Sequence, residues 1–549
     1  MKSMKWLFST FLGLGLFTLS VQANTTLITN VKGYTLNEKG RLQQFSAALI
    51  ADGKIASLDP QHIPQDAVRI DGKQKIMLPG LIDAHGHLLM LGASLLQVDV
   101  RDASSAKDAA KLVTQYAKAH PEQQWITGSG WNQELWPDRR FPTAAILDKA
   151  MAEHPVVLSR VDGHAVWINS QALALTGITK DTPDPAGGQI IRDAKGDATG
   201  VLVDNAMDLV NAVMPKDGPQ QFQQMLNAAG PHLLSLGVTA MQDAGIGHDV
   251  YDFYLAKEVA QQLPLRIYAM VAATDPDLSE MLANGEIYSV DDFLTIRSVK
   301  VFADGALGSR GAAMLAPYHD APHQNGLMVT EPEKFKPLFD QIIGAGFQLN
   351  IHAIGDRANH LALQQFADTF SRIGGKDLRN RIEHAQVIAP EDLRKFAELG
   401  VLPSMQPTHA TSDMNMAEDR LGKARMVGAY AWQTLLKSGV HMPLGSDFPV
   451  ELANPFYGLH AAITRQDRNN QPVNGWYPEQ KMTRLQAFKG FTQDAAYGAH
   501  MEDKIGSLTP GKWADFILVD QDIFEVPASD IWKTQVLSTW IAGKRVYQK

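Results

Sequence analysis

Three observations predict an α/β protein: a (β/α)8 TIM-like barrel with an inserted lid subdomain, plus a small β-sandwich built from the N- and C-terminal segments. Eight apolar, β-branched runs alternate with helical patterns at 76–83, 238–243, 265–271, 296–302, 347–352, 381–384, 401–405 and 441–447, which is the strand count of such a barrel. Short strand-like stretches broken by glycine turns stand at both ends of the chain. The connection from about 88 to 231 is too long to be a bare βα loop. A chain of 549 residues exceeds one ordinary core, and a barrel with an insertion and a satellite domain accounts for it.

Residues 1–23 read as an export signal peptide. Lys2 and Lys5 give a positive start, an apolar stretch follows from Trp6 to about Leu19, and Val21, Gln22 and Ala23 precede the expected cleavage point. The apolar run falls short of the ~20 residues a spanning helix needs. The expectation is therefore a periplasmic or secreted protein with no membrane partner after cleavage. Residues 24–79 and 505–549 are expected to share one composite β-sandwich, with hairpin turns at the two "DGK" triplets, 52–54 and 71–73. The barrel then spans 80–504, with the insertion at about 95–230. Within that insertion, "PVVLSRVDGHAVWINS" is strand-like and "DTPDPAGGQIIRDAKGDATGVLVD" is rich in turn residues, so it predicts a lid over the face where such barrels carry their chemistry. Helical patterns at 357–372 and 390–399 fill later connections, the second opening on Pro390.

Composition narrows the function classes. Hydrophobic residues make up 45% and charged residues 20%, the profile of a globular protein. The net charge is −9, and removal of Lys2 and Lys5 with the signal would take it to −11, which disfavours nucleic acid as a partner and leaves a small-molecule substrate. Cysteine is absent, so thiolate ligands, a cysteine nucleophile and disulfides are excluded.

What remains for a metal site is His, Lys and carboxylate, and these fall in a pattern. His85 and His87 follow the first run in "LPGLIDAHGHL", Lys300 lies in "SVKVFADGALGSRG", His352 in "LNIHAIGD", His384 in "RIEHAQ" and Asp447 in "PLGSDFPV". Strand side chains alternate with period two, so His85 and His87 share a face while Gly86 points away. In a closed barrel all six converge near the C-terminal strand ends, as a hydrolytic metal centre requires. A protonated Lys300 would oppose bound cations. The conflict disappears if its amine has reacted with carbon dioxide to give an anionic carbamate able to bridge two ions. The alternative is an ordinary lysine paired with Asp304, which would leave one metal.

These motifs, with "RVDGHAVWINSQAL", "VKVFADGALGSRGA", "HAIGDRA", "RIEHAQ" and "GSDFPV" around them, resemble the amidohydrolase superfamily, and in particular its N-substituted formamide deformylase or YtcJ-like branch, also called the amidohydrolase 3 family. The resemblance covers nearly everything after residue 23. It implies that His85 and His87 bind the more buried metal, that His352 and His384 bind the more exposed one, and that carboxylated Lys300 bridges two Zn2+. It implies that Asp447 contacts the first metal and acts as the catalytic proton acceptor in hydrolysis of a C–N bond of a non-peptide amide. The same site could serve an esterase or lactonase, and a non-catalytic binding protein is the reading from another class.

Substrate contacts are expected from His164 in "DGHAVW" and Arg310 in "GSRG", with Trp131 and Trp136 in "GSGWNQELW" lining an aromatic pocket or simply packing. Asp356 and Arg357 are expected to open the helix after the fifth strand, where an aspartate suits the N-terminal dipole. The oligomeric state stays open, with a homodimer as one reading because barrels of this kind commonly pair.

Overall fold

The computed structural model describes residues 25–549. The expected signal peptide lies outside the described residues. Within them, no helix is long and apolar enough to cross a membrane.

Seven parallel strands form the barrel wall: Leu81–Gly86, Val238–Ile246, Arg266–Ala272, Leu294–Phe302, Gln348–Ala353, Arg381–His384 and Leu402–Ser404, each hydrogen-bonded to the next. The eighth expected strand, 441–447, is not a regular strand. It closes the wall through isolated parallel bridges, Met405 to Leu444 and Gly86 to Phe448. Pro443 has no N–H to give a ladder, and Asp447 sits at φ 62, so the chain cannot stay extended there. The barrel interior and the surrounding helices, including Asp356–Ile373, bury a continuous apolar core with Val299, Ile351, Phe366 and Leu444 among its members. The helix expected at 390–399 forms only over Lys395–Leu399. Ahead of it Asp392 is buried and holds His360 Nδ1 at 2.9 Å and Lys395 Nζ at 2.7 Å, which keeps the chain in turns.

The first expected run, 76–83, is divided at Gly80. Ile76–Pro79 belongs to a terminal sheet, and the barrel begins at Leu81. A Cβ at Gly80 would lie 2.1 Å from Thr239 Oγ1, so the change of sheet requires glycine at that point.

Two sheets from the chain ends pack together. One runs Lys54–Leu58, Ala48–Ala51, Thr25–Thr29, Val68–Asp71; the other runs Lys544–Gln548, Val536–Ile541, Phe516–Val519, Ile76–Pro79, Lys32–Leu36, Leu42–Phe45. Between them lie Ile28, Ile50, Ile55, Met77, Phe516 and Trp540, with the last two rings stacked at 5.1 Å. Each such side chain contributes roughly 1.5–3 kcal/mol by leaving water. The triplet at 52–54 makes a hairpin turn, with Asp52 and Gly53 both at positive φ. The one at 71–73 does not: Val68–Asp71 and Ile76–Pro79 lie in different sheets, so it is a crossover.

A third sheet forms the lid, in the order Gly188–Arg192, Ala198–Asp204, Ala165–Ile168, Val156–Arg160, Ile126–Trp131, Val98–Asp99. Its core is built around Trp131, Trp136 and Trp167, whose ring centroids lie 6.3 to 6.4 Å apart.

Candidate metal centre

The six residues singled out from the sequence as ligands, His85, His87, Lys300, His352, His384 and Asp447, all line one chamber of about 610 Å³ between barrel and lid. Donor atoms of His85, His384 and Asp447 lie within 4.8 Å of one another.

His85 and His87 project from the end of the first strand with ring centroids 5.5 Å apart. Gly86 between them leaves room for Phe448, whose ring would be 2.5 Å from a Cβ there. Asp83, two residues earlier, accepts from the backbone of His85 and Ser446 at 3.1 Å each and from Ser446 Oγ at 2.7 Å. This ties the first strand to the irregular eighth segment that carries Asp447. Burial pushes the Asp83 carboxyl up to about 7.

Glu383 fixes the His85 ring. Its Oε2 meets His85 Nδ1 at 2.5 Å, and its Oε1 pairs with Arg381 Nε at 2.9 Å, all three residues being buried. Burial alone would raise the carboxyl, but Arg381, His85 and Lys300 together hold it at about 2. The Nδ1 proton of His85 therefore faces an anion, and its Nε2 faces the chamber, the arrangement found behind metal-ligating imidazoles. Burial, then the charge of Lys300, lowers His85 to about 4.

Lys300 is 1% exposed. Its Nζ lies 3.1 Å from His85 Nε2 and 4.9 Å over the Phe302 ring, with no carboxylate pair among the described residues. Burial lowers it to about 8. Pairing with Asp304 does not occur, because that carboxylate is occupied by the backbone N–H groups of Ala313, Ile354 and Gly355 at 2.8 to 3.0 Å.

His352 and His384 face each other with centroids 4.6 Å apart, and His384 is 4.8 Å from His85. Burial pushes both well below the usual imidazole range. His384 Nδ1 lies 2.8 Å from Gln406 Oε1. His384 and Ala385 both sit at positive φ, a conformation costly for residues with a Cβ and concentrated at functional sites. Asp447 lies between the histidines: Oδ1 is 3.0 Å from His87 Nε2 and 3.6 Å from His85 Nε2, and Oδ2 is 3.9 Å from His384 Nδ1. Burial acts to raise this carboxyl, but His85, His87 and His409 hold it well below the usual range. Four imidazoles, one ionised carboxylate and a buried amine form a donor set that fits a divalent metal ion.

Of the secondary candidates, His164 lines the chamber. Arg310 does not: it pairs with Asp320 at 2.8 Å in a separate small cleft. Trp131 is fully buried in the lid core, its Nε1 donating to Leu158 O at 2.7 Å, and Trp136 packs beside it with Nε1 on Ala103 O at 2.9 Å. Both are packing residues. Asp356 opens its helix and accepts from Leu315 N at 2.7 Å.

Three residues escaped the sequence reading. Glu383 shares a strand face with Arg381, so a buried charge pair at spacing two was the available signal. Asp204 ends a lid strand. His409 stands in the helix Pro407–Asp413 that follows the seventh strand, its ring stacked 5.7 Å from His384 and its Nε2 3.6 Å from Asp447 Oδ2; its place just beyond a barrel strand end was the clue.

The family model described as "Amidohydrolase family" matches residues 69–547. Among curated proteins, the chain is 33% identical over 493 residues to Protein LONG AFTER FAR-RED 3 of Arabidopsis thaliana, covering 87% of this chain and 83% of that one. It is 30% identical over 528 residues to the putative amidohydrolase YtcJ of Bacillus subtilis, covering 94% and 98%. It is 24% identical over 550 residues to the N-substituted formamide deformylase of Arthrobacter pascens, covering 96% and 99%. Among solved structures, an uncharacterized metal-dependent hydrolase from Pyrococcus horikoshii superposes with a TM-score of 0.75 at 26% identity, covering 92% of this chain and 99% of that one. Since the family model takes in the lid, the barrel and the C-terminal strands, and the YtcJ alignment covers 94% of the chain, the chain belongs to the amidohydrolase family, in its YtcJ-like branch.

Proposed function

We propose that the protein is an exported, metal-dependent amidohydrolase that cleaves the C–N bond of a small non-peptide amide, an N-substituted formamide or a related acyl amine. The observation that carries this reading is Lys300, a buried amine with no carboxylate partner, 3.1 Å from His85 Nε2 and lowered to about 8. At that value a useful fraction is neutral near pH 7, and a neutral amine attacks carbon dioxide. The N–C bond forms, a proton is released, and the product carbamate is an anion.

In this reading His85, His87 and Asp447 would hold one ion, His352 and His384 would hold a second, and a Lys300 carbamate would add an anionic oxygen donor to the centre. Zinc suits these nitrogen and oxygen donors. When bound, such a centre makes hydroxide available near neutral pH and polarises the substrate carbonyl. Glu383 keeps the His85 Nε2 lone pair turned to the chamber. Asp447, ionised and set between the histidine pairs, accepts the proton released in the attack and delivers it to the leaving nitrogen. The chamber of about 610 Å³ suits a small molecule. The alignment with a named deformylase over most of the chain supports the formamide class.

Metal analysis of the purified protein, with peptide mass spectrometry for a carbon dioxide adduct on Lys300, tests the centre. A panel of N-substituted formamides, acyl amines and lactones tests the bond. Turnover confined to esters and lactones would defeat the amide assignment, and absence of both bound metal and zinc-restored activity would defeat the enzyme. Export rests on residues 1–23, and N-terminal sequencing of protein recovered outside the cytoplasm, expected to begin at Asn24, checks it.

A further inference from the structure

The lid brings to the chamber an imidazole that the metal-centre reading leaves without a task. His164 lies between lid strands Val156–Arg160 and Ala165–Ile168, and its ring centroid is 5.0 Å from that of His352. Nδ1 meets Asp204 Oδ1 at 2.6 Å, while Asp204 N donates to His164 O at 3.0 Å and His164 N donates to Asp162 Oδ1 at 3.2 Å. The ring lines the chamber, and Nε2 has no protein hydrogen-bond partner among the described residues.

The barrel is shaped to receive this pair. In the loop just beyond Lys300, a Cβ at Gly305 or at Gly311 would lie 2.5 Å from Asp204 Oδ2, and one at Gly308 would lie 2.9 Å from the Arg160 guanidinium. Neither side chain is free to swing aside: Asp204 is held by His164, and Arg160 donates to Gln133 Oε1 at 2.8 Å and pairs with Asp162. Three glycines of "DGALGSRG" thus form the seat of the lid. Arg420 from the barrel side locks it, bonding Glu134 at 2.5 Å and Gly308 O at 3.2 Å. Asp204 pays for its position with φ 49, a strained backbone for a residue with a Cβ. Rigid placement of this kind is what an oriented polar contact to a substrate needs.

We propose that His164 is a catalytic residue supplied by the lid, its Nε2 touching the scissile amide, and that Asp204 is the positioning residue that turns that atom toward the substrate. The proposal rests on the amidohydrolase reading of the barrel centre. With Nδ1 committed to Asp204, Nε2 is the ring's remaining polar atom, and it faces the same chamber as Asp447 and Lys300.

The test uses the zinc-loaded full chain and whichever compound of the formamide, acyl amine and lactone panel the wild type turns over best. His164→Ala is expected to lower kcat roughly 10- to 100-fold, the loss of one hydrogen bond to a developing charge, with KM changed little and zinc per chain unchanged. Added imidazole restores part of the lost kcat, which a purely structural role would not allow. Asp204→Asn, nearly isosteric, lowers kcat less and has no further effect in the His164→Ala background. His164→Gln serves if the alanine variant does not fold. Unchanged kcat in the variants, a rise in KM alone, or loss of zinc from His164→Ala overturns the proposal. If the wild type turns over nothing in the panel, the amidohydrolase reading fails separately, and calorimetric binding of acetohydroxamate reads the contact instead: a Kd weakened about 10-fold in His164→Ala supports it, and an equal Kd overturns it.

Discussion

The barrel and the lid each present an imidazole whose Nδ1 meets a carboxylate, His85 on Glu383 at 2.5 Å and His164 on Asp204 at 2.6 Å, yet their proton affinities move in opposite directions. Burial acts against the charged form of both. In the barrel, Lys300 reinforces burial, Glu383 is shared with Arg381, and His85 falls to about 4. In the lid, Asp204, Asp162 and Asp304 outweigh burial, and His164 rises above its ordinary value. A carboxylate at hydrogen-bond distance therefore does not fix an imidazole's charge by itself: Asp204 leads the groups that outweigh burial in the lid, whereas Glu383, shared with Arg381 and opposed by Lys300, does not outweigh it in the barrel. The barrel ring is kept as a lone-pair donor, which suits a metal, and the lid ring as a polar contact.

The largest test of this contrast is Asp447→Asn. If the barrel holds the reacting centre and the lid supplies a contact, kcat should fall by about 100- to 10,000-fold, more than for any His164 variant; the reverse order would break the comparison. Next is Lys300→Met, read in chelator-treated protein. Removing the cation beside His85 should raise that ring's pKa in imidazole NMR, with His164 little changed, and an unmoved His85 would show that burial alone lowers it. Glu383→Gln should weaken zinc binding roughly 10- to 100-fold in a chelator competition, with the fold intact by circular dichroism.

The smallest effects are in stability, and their signs differ. His85 has its pKa lowered, so between about 6.5 and 4 the unfolded chain takes up a proton that the fold refuses. The metal-free protein therefore loses stability on acidification through that window, by up to about 3 kcal/mol from this ring, and His85→Gln should flatten the acid side of a plot of urea midpoint against pH. His164 has its pKa raised, so its contribution is complete below about 6.5 and lost as pH rises through the folded value. His164→Gln should flatten the other side. Slopes of the same sign would refute the contrast.

Those residues also mark how far the sequence could be read. That the six ligand candidates would meet in one chamber was legible because period-two alternation and strand ends are local properties, and Gly86 between two histidines carried the geometry with it. Strand order in the barrel followed from the spacing of apolar runs. The closing segment did not, because Pro443 and the positive φ of Asp447 replace a ladder by two bridges. The division at Gly80 was hidden inside one apolar run, since both sheets want the same residue types. Glu383 and Asp204 act across 298 and 40 residues of chain, and their roles depend on a pairing that no local pattern encodes. Arg310 and Trp131 belong to family-like motifs, but Arg310 pairs with Asp320 outside the chamber and Trp131 packs in the lid core.

The strand Ile76–Pro79 runs straight into the strand that carries His85. One of its edges is covered by Lys32–Leu36, which is made before it, and the other by Phe516–Val519, which is made more than 400 residues later. During synthesis that inner edge stays bare while the lid and the whole barrel emerge. An uncovered apolar strand edge invites pairing with another chain, so the closing strands act as a late latch on the nascent protein. Chains cut short before residue 516 would carry every ligand candidate and still be prone to associate through the strand that leads into His85.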